Sequence, residues 1–417
     1  MRNLRFIALI IAVSIVSQVK AQYYTKEKTP QRIIINLTAT PTESMAVTWR
    51  TVGLLNKPEV QITEPTAWTE FEQSARSIHA KSKKFITDKR FEVFQHSAIM
   101  DGLKPNTLYA YRVGGDSIWS EWNQFRTAKM EVAPFKFVFM GDPQNDLKQH
   151  CSRIFREAYK TAPDAAFWLY SGDICSEPED AQYDGFFYAG GFIFGTTPSI
   201  MTPGNHDVDF IWKDGKIVKD SKGKKLRGDS ISTMFLEHFT LPENGLPAYK
   251  ETSYHLDYQG VRFIMINTNN EDKLQEQAVW LEKLLASNHN KWTVVSFHHP
   301  FYSAGRDRDD KDTREAFLPI FDKYNVDLVL TGHDHAYARS YKLKNGVKVS
   351  GNQKGTVYVV SVSGPKMYSV NTGFNNIMAK TAGNIQLFQV ISIDGNKLKY
   401  ESYTATGSLF DSFSLSK

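Results

Sequence analysis

With two cysteines in 417 residues, the sequence has neither a disulfide framework nor enough thiols for a zinc-thiolate site. Cys151 and Cys175 offer one disulfide at most, and their positions in the chain do not show whether their Cα atoms come close enough to form it. An excess of one charge is also missing. Fifty Lys and Arg against 45 Asp and Glu leave a net +5, without the dense basic patch of a nucleic-acid binder. That mild bias still suits a cleft that draws in anionic substrates. Long apolar runs are absent except near the start, where Arg2 and Arg5 precede an apolar run over 6–16 and Val19-Lys20-Ala21 follows. This order predicts a cleaved secretory signal over residues 1–21. The run is shorter than the ~20 residues that span a bilayer, and no cysteine follows it to carry a lipid. We therefore expect a secreted or periplasmic protein with no membrane anchor. In a eukaryotic secretory setting Asn36-Leu37-Thr38 would be a glycosylation sequon.

What is present fits a soluble globular chain of two domains, with 41% hydrophobic, 23% charged and 13% aromatic residues. Residues 29–128 read as an all-β module. Met45, Val47 and Trp49 alternate with polar or small residues, as do Tyr109, Tyr111 and Val113, and Gly114-Gly115-Asp116 marks a turn before Trp119 and Trp122. Short alternating strands over about 100 residues predict a fibronectin-like or immunoglobulin-like sandwich. The two tryptophans are expected to pack in the core rather than bind carbohydrate. From 134 to 405 the pattern becomes α/β. Apolar runs at 135–140, 165–170, 198–201, 261–266, 293–297 and 326–330 alternate with helix-like stretches, including 272–287 and 313–324. Runs at 356–362, 385–393 and 398–403 have no helix between them and are expected to complete one sheet. The Lys-rich stretch 81–90 reads as a solvated strand edge, and 213–227 as a polar hairpin whose lysines can reach over an anionic ligand.

Short polar clusters sit where the apolar runs end: Gly141-Asp142-Pro143-Gln144, Gly172-Asp173, Gly204-Asn205-His206-Asp207, His298-His299-Pro300 and Gly332-His333-Asp334-His335. In α/β folds ligands bind at the carboxyl ends of strands, so these clusters should meet in one crevice. Their carboxylate, amide and imidazole groups suit Zn, Fe or Mn better than Ca. A single Gly-Asp is usually only a turn, and a single His-His pair usually lies on the surface or in the core. The set of five is what carries the metal reading.

In order and content the clusters resemble the calcineurin-like metallophosphoesterases, and among them the purple acid phosphatases. The resemblance continues through His335-Ala336-Tyr337-Ala338-Arg339-Ser340 and Thr356-Val357-Tyr358-Val359-Val360-Ser361, and in front through Val47-Thr48-Trp49-Arg50-Thr51 and Tyr111-Arg112-Val113-Gly114. It implies a four-layer αββα catalytic domain behind a fibronectin-like one. It also implies two metal ions (Fe, Zn or Mn) bridged by Asp173, the first also held by Asp142 and His335, the second by Asn205, His298 and His333. His206 would sit over the substrate as transition-state stabiliser or leaving-group acid, and a metal-bridging hydroxide would attack a small phosphorylated substrate, either a phosphomonoester or, alternatively, a phosphodiester or nucleotide. Two departures stand out. Where purple acid phosphatases carry the tyrosine that gives their colour this chain has Ser176, and where other superfamily members carry a histidine it has Gln144, a neutral amide ligand or a hydrogen-bonding group beside the site. These departures also motivate a non-catalytic binding protein as the contrasting reading. His299, which either faces the substrate or packs behind the site, and Arg306, in a charge run with Asp307, Arg308, Asp309 and Asp310 that otherwise reads as a solvated loop, are candidate phosphate contacts, and Asp146 either reaches the site or caps the helix after it.

Overall fold

The computed structural model describes residues 28–417 apart from Gly215, Arg306 and Asp307. The expected signal over 1–21 and the candidate phosphate contact Arg306 lie outside the described residues. The N-terminal module is built from two antiparallel sheets. Gln31–Leu37, Met45–Thr51, Glu92–Met100 and Lys81–Ile86 pair in one, and Arg76–His79, Glu59–Thr63, Leu108–Gly115, Ile118–Trp119 and Asn123–Arg126 in the other. Their alternating apolar residues meet in a core that contains Val47, Trp49, Ile62, Tyr111 and Val113. Lys81–Ile86 is an edge strand with lysines exposed, a usual protection against edge-to-edge pairing. Trp119 and Trp122 are not core residues. Each is half-buried, and the Arg112 guanidinium lies 5.0 Å from one ring centroid and 4.6 Å from the other.

The first sheet does not stop at the module boundary. Gln31–Leu37 pairs in parallel with Ser199–Met201, the register setting Asn36 opposite Ser199, so module and catalytic domain share one ten-stranded sheet. Asn36 is fully buried there. Its amide donates to Ser199 O at 2.9 Å and its Oδ1 accepts from Thr240 N at 3.2 Å. Buried and spent on these bonds, it cannot be glycosylated in the folded chain, which overturns the sequon reading. The same seam holds Asp180, whose Oδ1 accepts from Arg32 at 2.8 Å and from Arg50 at 2.7 Å.

The rest of the ten-stranded sheet faces a second, seven-stranded sheet. In the latter, Val261–Met265, Trp292–Ser296, Leu328–Thr331 and Val357–Val360 run parallel. Both faces of these strands are apolar. Phe263, Val294, Leu328 and Val357 face the inter-sheet core, whereas Ile264, Val295, Val329 and Tyr358 face the helices Leu274–Ala286 and Lys311–Tyr324. This is why the runs read as continuous apolar segments. Phe137 and Phe167 from the ten-stranded sheet meet Phe263 edge-on, with ring centroids 5.3 and 5.2 Å away. Outside that sheet, Phe155 of helix Ser152–Thr161 packs on Trp168, and Phe186 of helix Asp180–Gly190 on Tyr170. Helix, sheet, sheet, helix is the order of layers.

Two expectations need correction. The C-terminal runs do not complete one sheet: Val357–Val360 belongs to the seven-stranded sheet, whereas Leu387–Asp394 and Lys397–Thr404 join the ten-stranded one with a further strand, Leu409–Ser416. Asp146 does not cap by its side chain, which is exposed. It sits at φ 44° before a π-turn, Leu147–Cys151, without a side-chain cap bond. Cys151 and Cys175 are buried free thiols.

Candidate metal centre

The five clusters meet at the carboxyl ends of strands from both sheets. Close approach there depends on glycine. A Cβ on Gly204 would lie 2.3 Å from Asp173 Oδ1, and one on Gly332 would lie 2.7 Å from Asp142 Oδ1. Asp142, Asp173, His333 and His335 all take positive φ, at 42°, 51°, 75° and 49°. Left-handed backbone at non-glycine residues carries strain, and its concentration here points to a functional site.

One group of donors centres on His298, which is fully buried. Its Nε2 lies 3.1 Å from Asn205 Oδ1, 3.1 Å from His333 Nδ1 and 3.4 Å from Asp173 Oδ1. Tetrahedral donors at typical zinc distances sit about 3.4 Å apart, so these atoms can share one cation. Nδ1 of His298 donates to Ser171 O at 2.8 Å, which fixes the ring and aims Nε2 at the cluster. Burial pushes His298 down, but the charge and hydrogen bonding of Asp173 outweigh it and raise the imidazole to about 9. In the metal-free chain a proton on His298 thus supplies the positive charge that the surrounding acceptors require.

The second group centres on Asp142. Its carboxylate is fully buried, and neither oxygen has a hydrogen-bond partner. Burial, with help from Asp173 and Asp334, pushes it well above the carboxylate range against the pull of His298. Beside it, Gln144 Nε2 donates to Asp173 Oδ2 at 2.6 Å and lies 3.2 Å from His335 Nε2, while Gln144 Oε1 is buried without a partner. His335 Nδ1 donates to Lys366 O at 3.1 Å and so turns Nε2 inward. Orphaned oxygens beside an inward imidazole fit a cation, because a buried polar atom without a partner is otherwise costly. Asp173 lies between the two groups. Burial would raise it, but His298 and His206 hold it well below the usual range.

His206 lies outside both groups. Its N–H donates to Asp173 Oδ1 at 2.7 Å and its Nδ1 to Ser176 O at 2.5 Å. The Ser176 hydroxyl is buried without a partner. His299 Nδ1 bonds Thr268 Oγ1 at 2.8 Å, and its ring lies 4.6 Å from that of His333. With Asn205, Arg227 and Asp310 it lines a cavity of about 370 Å³ beside the His298 group.

Several supporting residues escaped sequence reasoning. Asp334 accepts from Ser303 Oγ at 2.9 Å and Ala304 N at 2.6 Å, tying the last cluster to the loop after His298. Arg308 donates to His333 O at 2.8 Å, although the charge run around it reads as solvated. Arg227 donates to His206 O at 3.0 Å and to Ser176 O at 3.0 Å.

Comparison with known families agrees with this geometry. Residues 30–127 match the family model described as Purple acid Phosphatase, N-terminal domain, and residues 135–337 match Calcineurin-like phosphoesterase. The chain is a purple acid phosphatase-like metallophosphoesterase. It is 24% identical over 343 residues to an uncharacterized protein of Mycobacterium tuberculosis, covering 73% of this chain and 60% of that one. It is 24% identical over 291 residues to Fe(3+)-Zn(2+) purple acid phosphatase 12 of Arabidopsis thaliana, covering 67% and 59%. The chain therefore spans about 60% of the length of these curated relatives. In fold it is similar to purple acid phosphatase PPD1 of yellow lupin seeds, with a TM-score of 0.76 and 20% identity over 93% of this chain and 74% of that one.

Proposed function

We propose that this chain is an exported phosphomonoesterase that works with two metal ions. The observation that carries the reading is the convergence of three donors on His298 Nε2, with a buried Asp142 carboxylate that has no hydrogen-bond partner alongside. Asp173 would be shared. Asn205, His298 and His333 would hold one ion, and Asp142, His335 and Gln144 the other, the amide of Gln144 turned so that Oε1 faces inward. When bound, such ions supply Lewis acidity for the attacking water and the phosphoryl oxygens. Without tyrosinate or a second histidine the first site is less electron-rich, which suits divalent metals and a colourless protein. In the reaction His206 delivers a proton from Nε2 to the leaving oxygen, its Nδ1 being committed to Ser176 O. His299 lines the approach to the phosphoryl group. The secretory signal expected from the sequence over residues 1–21 is what supports export; no helix among the described residues is long and apolar enough to cross a membrane.

A second reading has its own observation. Gln144 Nε2 donates to Asp173 Oδ2, and an amide locked in that orientation would exclude the first ion and leave a non-catalytic binding protein. Elemental analysis together with hydrolysis of p-nitrophenyl phosphate and bis-p-nitrophenyl phosphate separates the readings. Two metals per chain and preference for the monoester support the proposal, whereas diester preference makes the chain a phosphodiesterase. One metal or none, with no hydrolysis after Mn, Zn and Fe are supplied, leaves the binding protein. Asn205→Ala should lose one metal and at least about a hundredfold in rate, several kcal/mol of transition-state stabilisation.

A further inference from the structure

Arg227 lies at the end of the polar insert, on the strand Arg227–Ile231, which pairs with Val208–Phe210 just after His206. The pairing brings its guanidinium back onto the catalytic loops. Nη1 donates to His206 O at 3.0 Å and to Val208 O at 2.8 Å. Nη2 donates to Ser176 O at 3.0 Å and lies 3.2 Å from His206 Nδ1. The group is half-buried, stacked 4.9 Å from the Phe210 ring centroid, with Glu177 3.7 Å away. Ser176 O therefore receives two donors, Arg227 Nη2 and His206 Nδ1. That carbonyl has two lone pairs, and Arg227 takes one of them. The guanidinium thus holds His206 from both ends, at its own carbonyl and through the oxygen that its ring bonds. A planar fork of donors is suited to such a task and a lysine is not.

We propose that Arg227 is a positioning residue, setting the His206 imidazole with Nδ1 on Ser176 O so that Nε2 serves the leaving group. This rests on the reading of His206 as leaving-group acid. In the step concerned His206 enters as the imidazolium, its second proton taken up from solvent, and the P–O bond breaks with its electron pair on the leaving oxygen, which takes the Nε2 proton. Imidazole is left neutral with Nδ1–H in place, while water forms the new P–O bond and gives up a proton to solvent. Nothing in Arg227 itself is transferred.

Leaving-group acid matters most when the leaving group is poor, so a positioning role predicts selective damage. In the metal-replete full chain, Arg227→Ala should lower kcat/KM for phenyl phosphate at least about tenfold more than for p-nitrophenyl phosphate. His206→Ala should show the same selectivity, and the double variant should fall no further than His206→Ala alone. Arg227→Lys should recover only part of the loss, and with Arg227→Gln it carries the comparison if the alanine variant does not fold. Equal losses on both esters, additive losses in the double variant, or loss of a metal ion from Arg227→Ala would overturn the proposal. The ring nitrogen-15 shifts of His206 give a readout independent of turnover. Wild type should show one tautomer with Nδ1–H, and Arg227→Ala a mixture; an unchanged tautomer counts against Arg227. If wild type hydrolyses neither ester, the functional reading fails, and the nitrogen-15 result alone decides whether Arg227 holds the ring.

Discussion

A buried carboxylate with no hydrogen-bond partner is an unusual side chain to keep, and Asp142 makes its consequence measurable. Without metal it is pushed well above the carboxylate range by burial, so an isosteric neutral group should suit the empty site better. Asp142→Asn should raise the stability of the metal-free chain by about 1–3 kcal/mol while the metal content falls by one. Thermal melts in chelator and elemental analysis read the two effects, and a destabilised apo variant would contradict the argument. His298 gives the matching pH effect. Its imidazole, raised to about 9, must lose the Nε2 proton before it can bind a metal. Uptake of the second ion should therefore release close to one proton per chain at pH 7, and affinity should weaken as pH falls below about 9. Titration calorimetry in buffers of different ionisation enthalpy measures the proton count, and none released would mean that His298 is neutral in the apo site. At this scale the ligand candidates were legible because each directly follows an apolar run. Arg227 and Arg308 were not, since their shortest bonds run to backbone carbonyls, which leave no side-chain pattern to recognise.

The strands show a similar division between what was legible and what was not. Alternation locates Met45–Thr51 and the doubly apolar runs locate the parallel strands, but period two says only which faces are buried, not against which neighbour. Hence the C-terminal runs read as one sheet, whereas the structure divides them between two. The strand Glu92–Met100 carries a further device hidden in sequence. His96 pairs with Trp49 across the ladder and stacks on it at 5.1 Å. Its Nε2 lies 2.8 Å from Thr51 Oγ1, whose own proton goes to Gly53 O, so Nε2–H donates and Nδ1 is buried without a partner. Burial lowers His96 to about 4. Below pH 6.5 the unfolded chain takes up a proton that the folded strand refuses until about pH 4, so stability falls as pH drops through that window. His96→Gln should reduce the loss between pH 7 and pH 4.5 by about 2–3 kcal/mol in denaturant unfolding, and an unchanged loss would place the effect elsewhere.

For the whole molecule the question is whether two modules that read as separate in sequence behave as separate bodies. Independent domains usually meet across modest, rather polar interfaces and move relative to one another. Here a strand of the first module extends the sheet of the second. One apolar core runs from Trp49 and Tyr111 through Phe155 and Tyr170 to Phe263 and Leu328. Tyr111 also donates to Gly195 O at 2.7 Å, and Asp180 accepts from two arginines of the first module. Removing residues 28–127 would uncover the edge of Ser199–Met201, the strand that leads directly into Asn205 and His206, and would leave Asp180 without both cations. The module accordingly supports the metal centre through the strand that leads into Asn205 and His206. Calorimetry of the metal-free chain should show a single transition for both modules, and Asp180→Ala should lower it as a whole rather than split it. Two resolved transitions, the later one retaining metal binding, would show that the catalytic domain stands alone.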